Sequence, residues 1–287
     1  MKKYAVIDIG SNSVRLMCVA NGKVLYKRLN TTRLGEGLAQ STMLKAEAIE
    51  RSAQAVAEFF RQAVEEQAEQ VLAFATAAVR TAENGMQFVS RVRELCGLEV
   101  EVVSGETEAE IGILGALGDQ DGAVVDIGGA STEIVVKQNG EYTYKKSVNI
   151  GVVRLRDQCG LQKEKLLQVC KERVKEFGFV PKTATYAIGG SATAIAAFCL
   201  GLKEYDAQKV TGAKITKAQM QAVADKLLSL TPEEIYSSSC MPKGRADVIA
   251  GGAVLFSVIM EELDIPELII SDRDNLEGYA ISKGLKV

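Results

Sequence analysis

The sequence predicts an α/β protein made of two duplicated lobes with a ligand cleft between them. Three observations predict this fold class: a repeat at one constant offset, an Asn-Gly turn at the same place in both copies, and strands that alternate with amphipathic helices after each copy. Alternating strands and helices are typical of a sheet covered by helices. A cleft between two such lobes is a usual place for a ligand.

Residues 4–13 are similar to residues 122–131 at an offset of 118 residues, which aligns Asp8 with Asp126. The same offset carries Asn21-Gly22 onto Asn139-Gly140. Asn-Gly is the favoured two-residue hairpin turn, because both central residues must take positive φ. Each half is therefore predicted to open with a three-stranded antiparallel meander.

After each meander the hydrophobic pattern predicts helices and further strands. In the first half these are a helix over 43–67, strands over 71–75 and 98–103, and helices near 84–95 and 107–117. In the second half they are helices over 163–177, 216–229 and 245–263, strands over 185–188 and 268–270, a turn at 189–191 that leads into a helix ending near 200, and a last helix over 276–285. We place the lobes at 1–118 and 119–275, and the C-terminal helix at 276–287 could pack back on the first lobe.

Charge and composition narrow the function. The chain has 287 residues, a net charge of −3 and no histidine. The small net charge offers no general attraction to nucleic acid or an anionic membrane, and no apolar stretch reaches the roughly 20 residues of a membrane span, so we expect a cytoplasmic protein with neither partner. The lack of histidine excludes serine–histidine and cysteine–histidine catalysis and the usual zinc sites. Proton transfer near neutral pH then falls to a carboxylate, Lys, Cys or Tyr, and oxygen-ligated metals are favoured.

Both copies of the repeat place an aspartate at the end of a strand, before a turn of small residues. The backbone N–H groups of such a turn can cradle a phosphate, and the aspartate can hold a cation directly or through water. The copies differ at one position, where Arg15 of the first corresponds to Glu133 of the second. We therefore predict that the first loop is built for the anion and the second for the cation.

Simpler explanations exist for several of these residues. An acidic residue such as Glu108 is favoured at a helix N-terminus by the helix dipole, and Glu106 and Glu110 are equal candidates for a catalytic carboxylate. Six cationic side chains could make surface salt bridges worth only about 0–1 kcal/mol. They are Arg15, Arg33, Arg80, Arg154, Lys243 and Arg245. We single out Arg80 for phosphate binding, because an arginine fork matches phosphate oxygens. The sequence of residues 189–193 is equally consistent with a tight turn and with a third phosphate-binding loop.

Seven motifs occur in the order found in one known family. They are Asp8-Ile-Gly-Ser-Asn-Ser-Val-Arg-Leu16, Arg33-Leu-Gly-Glu-Gly-Leu38, Ala75-Thr-Ala-Ala-Val-Arg-Thr-Ala-Glu-Asn84, Ser104-Gly-Glu-Thr-Glu-Ala109, Val125-Asp-Ile-Gly-Gly-Ala-Ser-Thr-Glu133, Ser147-Val-Asn-Ile-Gly-Val-Val-Arg-Leu155 and Gly244-Arg-Ala-Asp-Val-Ile249. Together they resemble the exopolyphosphatase / guanosine pentaphosphate phosphohydrolase (Ppx/GppA) family. At a coarser level the chain resembles the actin, Hsp70 and sugar-kinase superfold, whose lobes are actin-like (ribonuclease H-like).

This resemblance implies a hydrolase that uses Mg²⁺, with Mn²⁺ as the alternative, to release terminal phosphate from inorganic polyphosphate. Hydrolysis of pppGpp to ppGpp is the alternative, and the motifs do not separate the two. A kinase of the same superfold, or a protein that binds polyphosphate or the guanosine penta- and tetraphosphates without turnover, are further alternatives.

The resemblance also assigns residues. Glu108 falls on the base for an attacking water, and Asp126 and Glu133 fall on metal and phosphate carboxylates. From its place in the repeat, we expect Asp8 near the metal, in the outer shell of the cation or bound through water. The expected phosphate contacts are Ser11, Asn12, Ser13, Arg33, Arg80, Gly128, Gly129, Ala130, Ser131 and Gly190.

The chain departs from the family pattern in two respects. Long members append an HD-like C-terminal domain, which we do not expect here, since there is no histidine to build it. The family's Leu-Arg-Glu-Gly stretch reads Asn275-Leu276-Glu277-Gly278, so an arginine expected near Leu276 is missing. We expect a weaker phosphate grip or a different preferred chain length as a result. The oligomeric state stays open, with a homodimer among the options.

Overall fold

The structure, a computed structural model, describes residues 2–287. Its first sheet has five strands in the order β3-β2-β1-β4-β5. These are β1 (Lys3–Ile9), β2 (Val14–Ala20), β3 (Lys23–Asn30), β4 (Gln70–Ala75) and β5 (Glu101–Val102). The first three strands are antiparallel, while β4 and β5 run parallel to β1.

The second sheet has six strands in the order β10-β11-β9-β6-β7-β8. They are β6 (Gly122–Ile127), β7 (Thr132–Gln138), β8 (Glu141–Val148), β9 (Thr185–Ile188), β10 (Lys214–Thr216) and β11 (Glu267–Ile270). Apart from the added edge strand β10, the strand order and directions repeat those of the first sheet. The predicted fold class, an α/β protein of two duplicated actin-like lobes, is confirmed.

The repeat extends to details of the backbone. The register shift between Cys18 and Val19 on the second strand recurs at the equivalent place in the second sheet, between Val136 and Lys137. Both predicted hairpin turns have positive φ at their two central residues. The β-bulges and turns therefore correspond at the same offset of 118 residues that aligns the two aspartates.

The longer helices follow the prediction. They are α1 (Ala46–Glu65), α2 (Ala77–Thr81), α3 (Gly85–Cys96), α4 (Gly105–Leu117), α5 (Val152–Cys159), α6 (Lys163–Val174), α7 (Gly189–Cys199), α8 (Ala207–Val210), α9 (Lys217–Leu228), α10 (Pro232–Ser238), α11 (Lys243–Ala246), α12 (Ile249–Glu262) and α13 (Asn275–Ser282). Across residues 2–287, no helix combines the length and apolar composition that a membrane span requires.

Two local predictions are wrong. The expected turn at 189–191 is the first turn of α7, which begins at Gly189. The strand expected over 98–103 shrinks to β5, because Leu98 and Val100 pack into the first core without pairing to a neighbouring strand. The helices α2, α5, α8 and α10 were not predicted. The position of α5 depends on a tertiary contact, because the N–H groups of Val152 and Val153 donate to carbonyls of the loop after β6.

The last helix of each half packs on the other half. Helix α4 lies against β6, β7 and β8 of the second sheet, and α13 lies against α4 and against β1 of the first sheet. The ring of Tyr279 on α13 stacks on Phe74 of β4 with centroids 4.4 Å apart. Two crossed helices therefore fill the space between the sheets, while α1 covers the outer face of the first sheet and α12 packs in the main core of the second lobe.

The crossing of α4 and α13 gives the first prediction. A Cβ added to Gly278 would lie 1.6 Å from the carbonyl oxygen of Ile111. We expect Gly278→Ala to lower the free energy of unfolding by about 2 kcal/mol or more through overpacking, and the melting temperature by roughly 5 °C. Gly251→Ala is the control, because a Cβ at Gly251 would make only ordinary contacts at 3.6 Å or beyond. Equal thermal stability of the two variants would contradict this account of the crossing.

Candidate active site

A cavity opens where β1 and β6 end, between the loops of the two lobes. Loops 10–13 and 128–131 line it together with Asp8, Glu108 and Asp126. The loops approach closely, since a Cβ on Gly129 would lie 2.7 Å from the Cβ of Ser11. The cavity has a volume of about 80 Å³. It is therefore narrow, and both lobes contribute to its wall.

The two loops offer backbone donors to a ligand. Each loop is closed by a hydrogen bond of 3.0 Å, from Gly10 N–H to the Ser13 carbonyl and from Gly128 N–H to the Ser131 carbonyl. In the second loop, the carbonyl oxygens of Gly128 and Gly129 accept hydrogen bonds from N–H groups of α5, and that of Ala130 accepts one from Arg154 Nε. Six N–H groups donate no hydrogen bond within residues 2–287; they belong to Ser11, Asn12, Ser13, Gly129, Ala130 and Ser131. Clustered free N–H groups of this kind bind anions.

The carboxylate of Asp8 in the first lobe is paired with a positively charged side chain of the protein. Arg15, its cross-strand neighbour, donates from Nε to the Asp8 carboxylate at 2.9 Å and also pairs with Asp274. Burial raises the pKa of Asp8, and Arg15 opposes this shift. The negative charge of Asp8 is therefore already compensated, so its predicted part near a metal stays a prediction, and a contact through water suits it better than a direct one.

The second lobe carries carboxylates without a cationic partner. Asp126 accepts a hydrogen bond of 2.8 Å from the side-chain amide of Asn275. Glu133, its cross-strand neighbour, accepts one of 2.6 Å from Ser147 through Oε1, while its buried Oε2 has no partner among residues 2–287. Burial, together with the nearby negative charge of Glu108, raises the pKa of Asp126 to about 8 and that of Glu133 well above its usual range. This excess of buried negative charge suits a bound cation.

The available donor groups fit one common mode of Mg²⁺ binding. No three carboxylate or thiol side chains of the described residues converge closely enough to form a metal cage by themselves. Mg²⁺ commonly binds through one or two carboxylates and completes its shell with phosphate oxygens and water. Asp126 and the unpartnered oxygen of Glu133 match that pattern, with the substrate supplying the remaining oxygens.

Glu108 lies in the first turn of α4, whose N-cap Ser104 accepts a hydrogen bond from the Thr107 N–H. Its side chain is 6% exposed and lines the cavity. Arg80 donates from Nη1 to Glu108 Oε2 at 2.8 Å and to the Val103 carbonyl at 3.0 Å. Burial raises the pKa of Glu108, and Arg80 opposes this shift.

The three acids that the sequence left as alternatives are now distinguishable. Glu106 is exposed, and Glu110 pairs with Lys145 at 2.6 Å. Only Glu108 of the three lines the cavity. An α-helix turns through about 100° per residue, so residues two positions apart point to different sides. Glu108 therefore faces the cavity, while Glu106 and Glu110 face solvent.

Not every predicted phosphate contact reaches the cavity. The loop residues and Gly190 line it, whereas Arg80 lies behind Glu108, and Glu133 lies next to Asp126 outside the lining. Arg33 is placed elsewhere: it pairs with Asp247 at 2.8 Å, across the lobes. Sequence reasoning did not select Asn275 or Arg245, which also line the cavity.

The raised pKa of Asp126 predicts a pH dependence. Between its usual value of 3.8 and about 8, the folded chain holds a proton on Asp126 that the unfolded chain does not. The free energy of unfolding of the metal-free protein should therefore fall as pH rises from 5 to 8, by up to about 1.4 kcal/mol per pH unit for one proton. The chain has no histidine to titrate in this window. Urea unfolding in EDTA at several pH values measures the slope. Asp126→Asn should make it shallower by the contribution of one proton, while the raised pKa values of Glu108 and Glu133 keep part of it. The same slope in both proteins would contradict the assignment.

Asn275 gives a second prediction at this site. Its amide is the only side-chain group among residues 2–287 that donates to Asp126, so Asn275→Ala should free the carboxylate to rotate. Loss of an outer partner of a ligand typically weakens metal affinity about 10–100-fold. We expect a loss of that size for Mn²⁺, measured by electron paramagnetic resonance without substrate. Unchanged Mn²⁺ affinity would show that the bond does not orient Asp126.

Comparison with known proteins agrees with this geometry. A model of the Ppx/GppA phosphatase family matches residues 5–286. Exopolyphosphatase 2 of Mycobacterium tuberculosis is 30% identical over 98% of this chain and 98% of its own length. A solved exopolyphosphatase-like protein superposes with a TM-score of 0.90 at 28% identity, covering 98% of both chains. The Ppx/GppA family member of Aquifex aeolicus superposes with a TM-score of 0.80 at 30% identity, covering 99% of this chain and 97% of its own.

Proposed function

Because this chain belongs to the Ppx/GppA phosphatase family, we propose that it is an exopolyphosphatase that removes the terminal phosphate of inorganic polyphosphate with Mg²⁺. The observation that carries the proposal is the placement of Glu108. This buried carboxylate lines a narrow cavity whose two loops present free N–H groups from both lobes. A base beside an anion cradle is the arrangement that hydrolysis of a phosphate chain requires.

The terminal phosphate would lie between loops 10–13 and 128–131. Their backbone N–H groups and the hydroxyl groups of Ser11, Ser13 and Ser131 are donors for its oxygens. Such fixed donors stabilise the charge on the transferred group without reorganising during the reaction. Phosphoryl transfer relies on positioning and charge stabilisation of this kind.

Glu108 would act on the attacking water. Its Oε2 is occupied by Arg80, so Oε1 is the oxygen that accepts the proton of the water. Burial raises the pKa of Glu108, which makes it a stronger base than an exposed carboxylate. Arg80 keeps the carboxylate in one orientation, so it is a positioning residue in this account.

Asp126 and Glu133 would hold the Mg²⁺ or, as the alternative, Mn²⁺. A divalent cation supplies charge neutralisation on the phosphate oxygens and on the departing chain. The free Oε2 of Glu133 and the raised pKa of both carboxyl groups support these two residues as the holders. Their protons would be lost on binding, since metal ligands must be ionised.

Hydrolysis of pppGpp to ppGpp is the second candidate, and one observation favours it. A wider cavity, with a volume of about 230 Å³, adjoins the first. Its wall includes Phe198 and Met241, which could pack against an organic group that inorganic polyphosphate does not have.

The test is the release of orthophosphate from medium-chain polyphosphate and from pppGpp at equal Mg²⁺. We expect kcat/KM for polyphosphate to exceed that for pppGpp at least about tenfold. A higher kcat/KM for pppGpp would replace the proposal by its alternative. Tight binding of both compounds without release of phosphate, with several divalent metals, would show that the protein is a binding protein.

A further inference from the structure

The motif at residues 33–38 lies behind the first phosphate loop and outside the lining of the cavity. Two of its N–H groups donate to this loop, that of Arg33 to the Asn12 carbonyl at 2.9 Å and that of Gly35 to the Ser11 carbonyl at 2.8 Å. The packing is close, since a Cβ added to Gly35 would lie 2.8 Å from the Cβ of Ser11. We call residues 33–38 the support segment of the first loop.

Arg154, in the first turn of α5, connects the support segment with the second phosphate loop. Its Nη1 donates to the Leu38 carbonyl of the support segment at 2.8 Å, and its Nε donates to the Ala130 carbonyl of the second loop at 2.8 Å. Its Nη2 donates to Thr81 Oγ1 of α2 at 3.4 Å. The side chain itself does not line the cavity. One guanidinium therefore joins groups from both lobes.

The guanidinium of Arg154 has no counterion among residues 2–287, where it makes no salt bridge within 4.0 Å. In contrast, Arg156 on the same helix pairs with two aspartates. Burial lowers the pKa of Arg154, and the charge of Arg173 adds to this shift. Burying a cation without a counterion costs free energy, so Arg154 is a poor source of stability. What it provides is a fixed position for two carbonyl groups.

The carbonyl groups that accept these bonds determine where the free N–H groups of the loops point. A trans peptide group is planar, so its C=O and N–H point in opposite directions. The bonds from the support segment to the first loop therefore turn the N–H groups of Asn12 and Ser13 toward the cavity. The bond from Arg154 to Ala130 does the same for the N–H of Ser131.

We propose that Arg154 is a positioning residue that fixes the distance between the two phosphate loops, so that N–H groups from both lobes converge on one phosphate. This inference rests on the proposed function. Fixed donors are effective because they need no reorganisation during the reaction, and a misplacement of about 1 Å can cost about 100-fold in rate. Arg154 touches neither the phosphate nor the attacking water. It acts through the carbonyls of Leu38 and Ala130.

Two ligands separate this role from a general loss of structure. Orthovanadate, an analogue of the phosphate during transfer, would contact both loops. Mn²⁺ without substrate would be held by Asp126 and Glu133, which both belong to the second lobe. Loss of the link between the lobes should therefore weaken the binding of orthovanadate and spare that of Mn²⁺, whereas damage to the second lobe should weaken both.

The experiment measures the Kd of orthovanadate with Mg²⁺ by calorimetry and the Kd of Mn²⁺ by electron paramagnetic resonance. For Arg154→Met, we expect the Kd of orthovanadate to rise about tenfold or more, as for the loss of a charged hydrogen bond, and that of Mn²⁺ to change less than about twofold. Arg173→Met is the control, because it removes a nearby cation whose partners among residues 2–287 all belong to the second lobe. It should leave both constants unchanged.

Arg154→Lys tests whether the fork or the charge matters. Lysine keeps the charge but is a single point donor, so the Kd of orthovanadate should stay at least about threefold above that of the wild type. Full restoration by lysine would show that Arg154 acts on the anion through its charge, and would overturn the proposal. Equal losses for orthovanadate and Mn²⁺ in Arg154→Met, or an unchanged Kd of orthovanadate, would overturn it as well.

Gly35→Ala gives an independent test, because the added Cβ must push the support segment away from Ser11 while Arg154 is retained. It should also weaken orthovanadate binding more than Mn²⁺ binding, and equal losses would contradict the proposal. These comparisons do not depend on which phosphate compound the protein hydrolyses. If the wild type released no phosphate from polyphosphate, the proposed function would fail, while the orthovanadate measurements would still decide the role of Arg154.

Discussion

Replacing Glu108 by Gln is expected to lower kcat for polyphosphate about a thousandfold, in the range of 10²–10⁴ typical of a lost general base. Glutamine keeps the shape of the side chain and can still accept the hydrogen bond from Arg80. The fold and the binding site of the terminal phosphate should therefore be retained. KM should therefore change less than about threefold. Initial rates of orthophosphate release with saturating Mg²⁺ measure both constants.

Glu106→Gln is the matched control, because Glu106 lies in the same helical turn and is exposed. It should retain at least about half of the wild-type kcat. Equal activity of Glu108→Gln and wild type would remove Glu108 from the role of base. A loss in KM alone would instead assign Glu108 to substrate binding.

The second large effect is expected for Asp126→Asn. This change should lower kcat/KM about a hundredfold or more at moderate Mg²⁺, since asparagine is neutral and a weaker ligand than a carboxylate. It should also raise the Mg²⁺ concentration that gives half of the maximal rate. Manganese binding without substrate, followed by electron paramagnetic resonance, should weaken in parallel.

Asp121→Asn is the control for this variant, because Asp121 lies at the surface and, among residues 2–287, accepts hydrogen bonds only from the N–H groups of the Asn139-Gly140 turn. It should leave kcat/KM and the metal requirement unchanged. Normal Mn²⁺ affinity in Asp126→Asn would place the cation elsewhere. The variant should also be more stable than the wild type in EDTA at pH 8, where the buried carboxylate of Asp126 begins to carry its charge.

The repeat explains why so much of the fold could be predicted from sequence. A constant offset fixes both meanders, both Asn-Gly turns and both loops at once, so an error in one copy would be visible in the other. The register also places Arg15 opposite Asp8 and Glu133 opposite Asp126. The difference in charge between the two loops is therefore readable before any coordinates are known.

Other features depend on contacts between residues distant in the chain. Asn275 is 149 residues from Asp126, and no local pattern indicates that their side chains meet. Arg33 lies in a motif of the family but pairs across the lobes with Asp247, a partner that only the tertiary structure reveals. At the position of the missing arginine, Leu276 is fully buried, and the neighbouring Glu277 pairs instead with Lys27 of β3 at 2.8 Å.

Tripolyphosphate hydrolysed in ¹⁸O-labelled water tests the central claim most directly, namely that water activated at Glu108 attacks the terminal phosphorus in the cavity between the two loops. The products are one orthophosphate and one pyrophosphate, and mass spectrometry locates the label in each. Our account predicts that the solvent oxygen enters the orthophosphate alone and that Glu108→Gln slows this incorporation about a thousandfold. Label in the pyrophosphate, or incorporation at an equal rate in the variant, would contradict it.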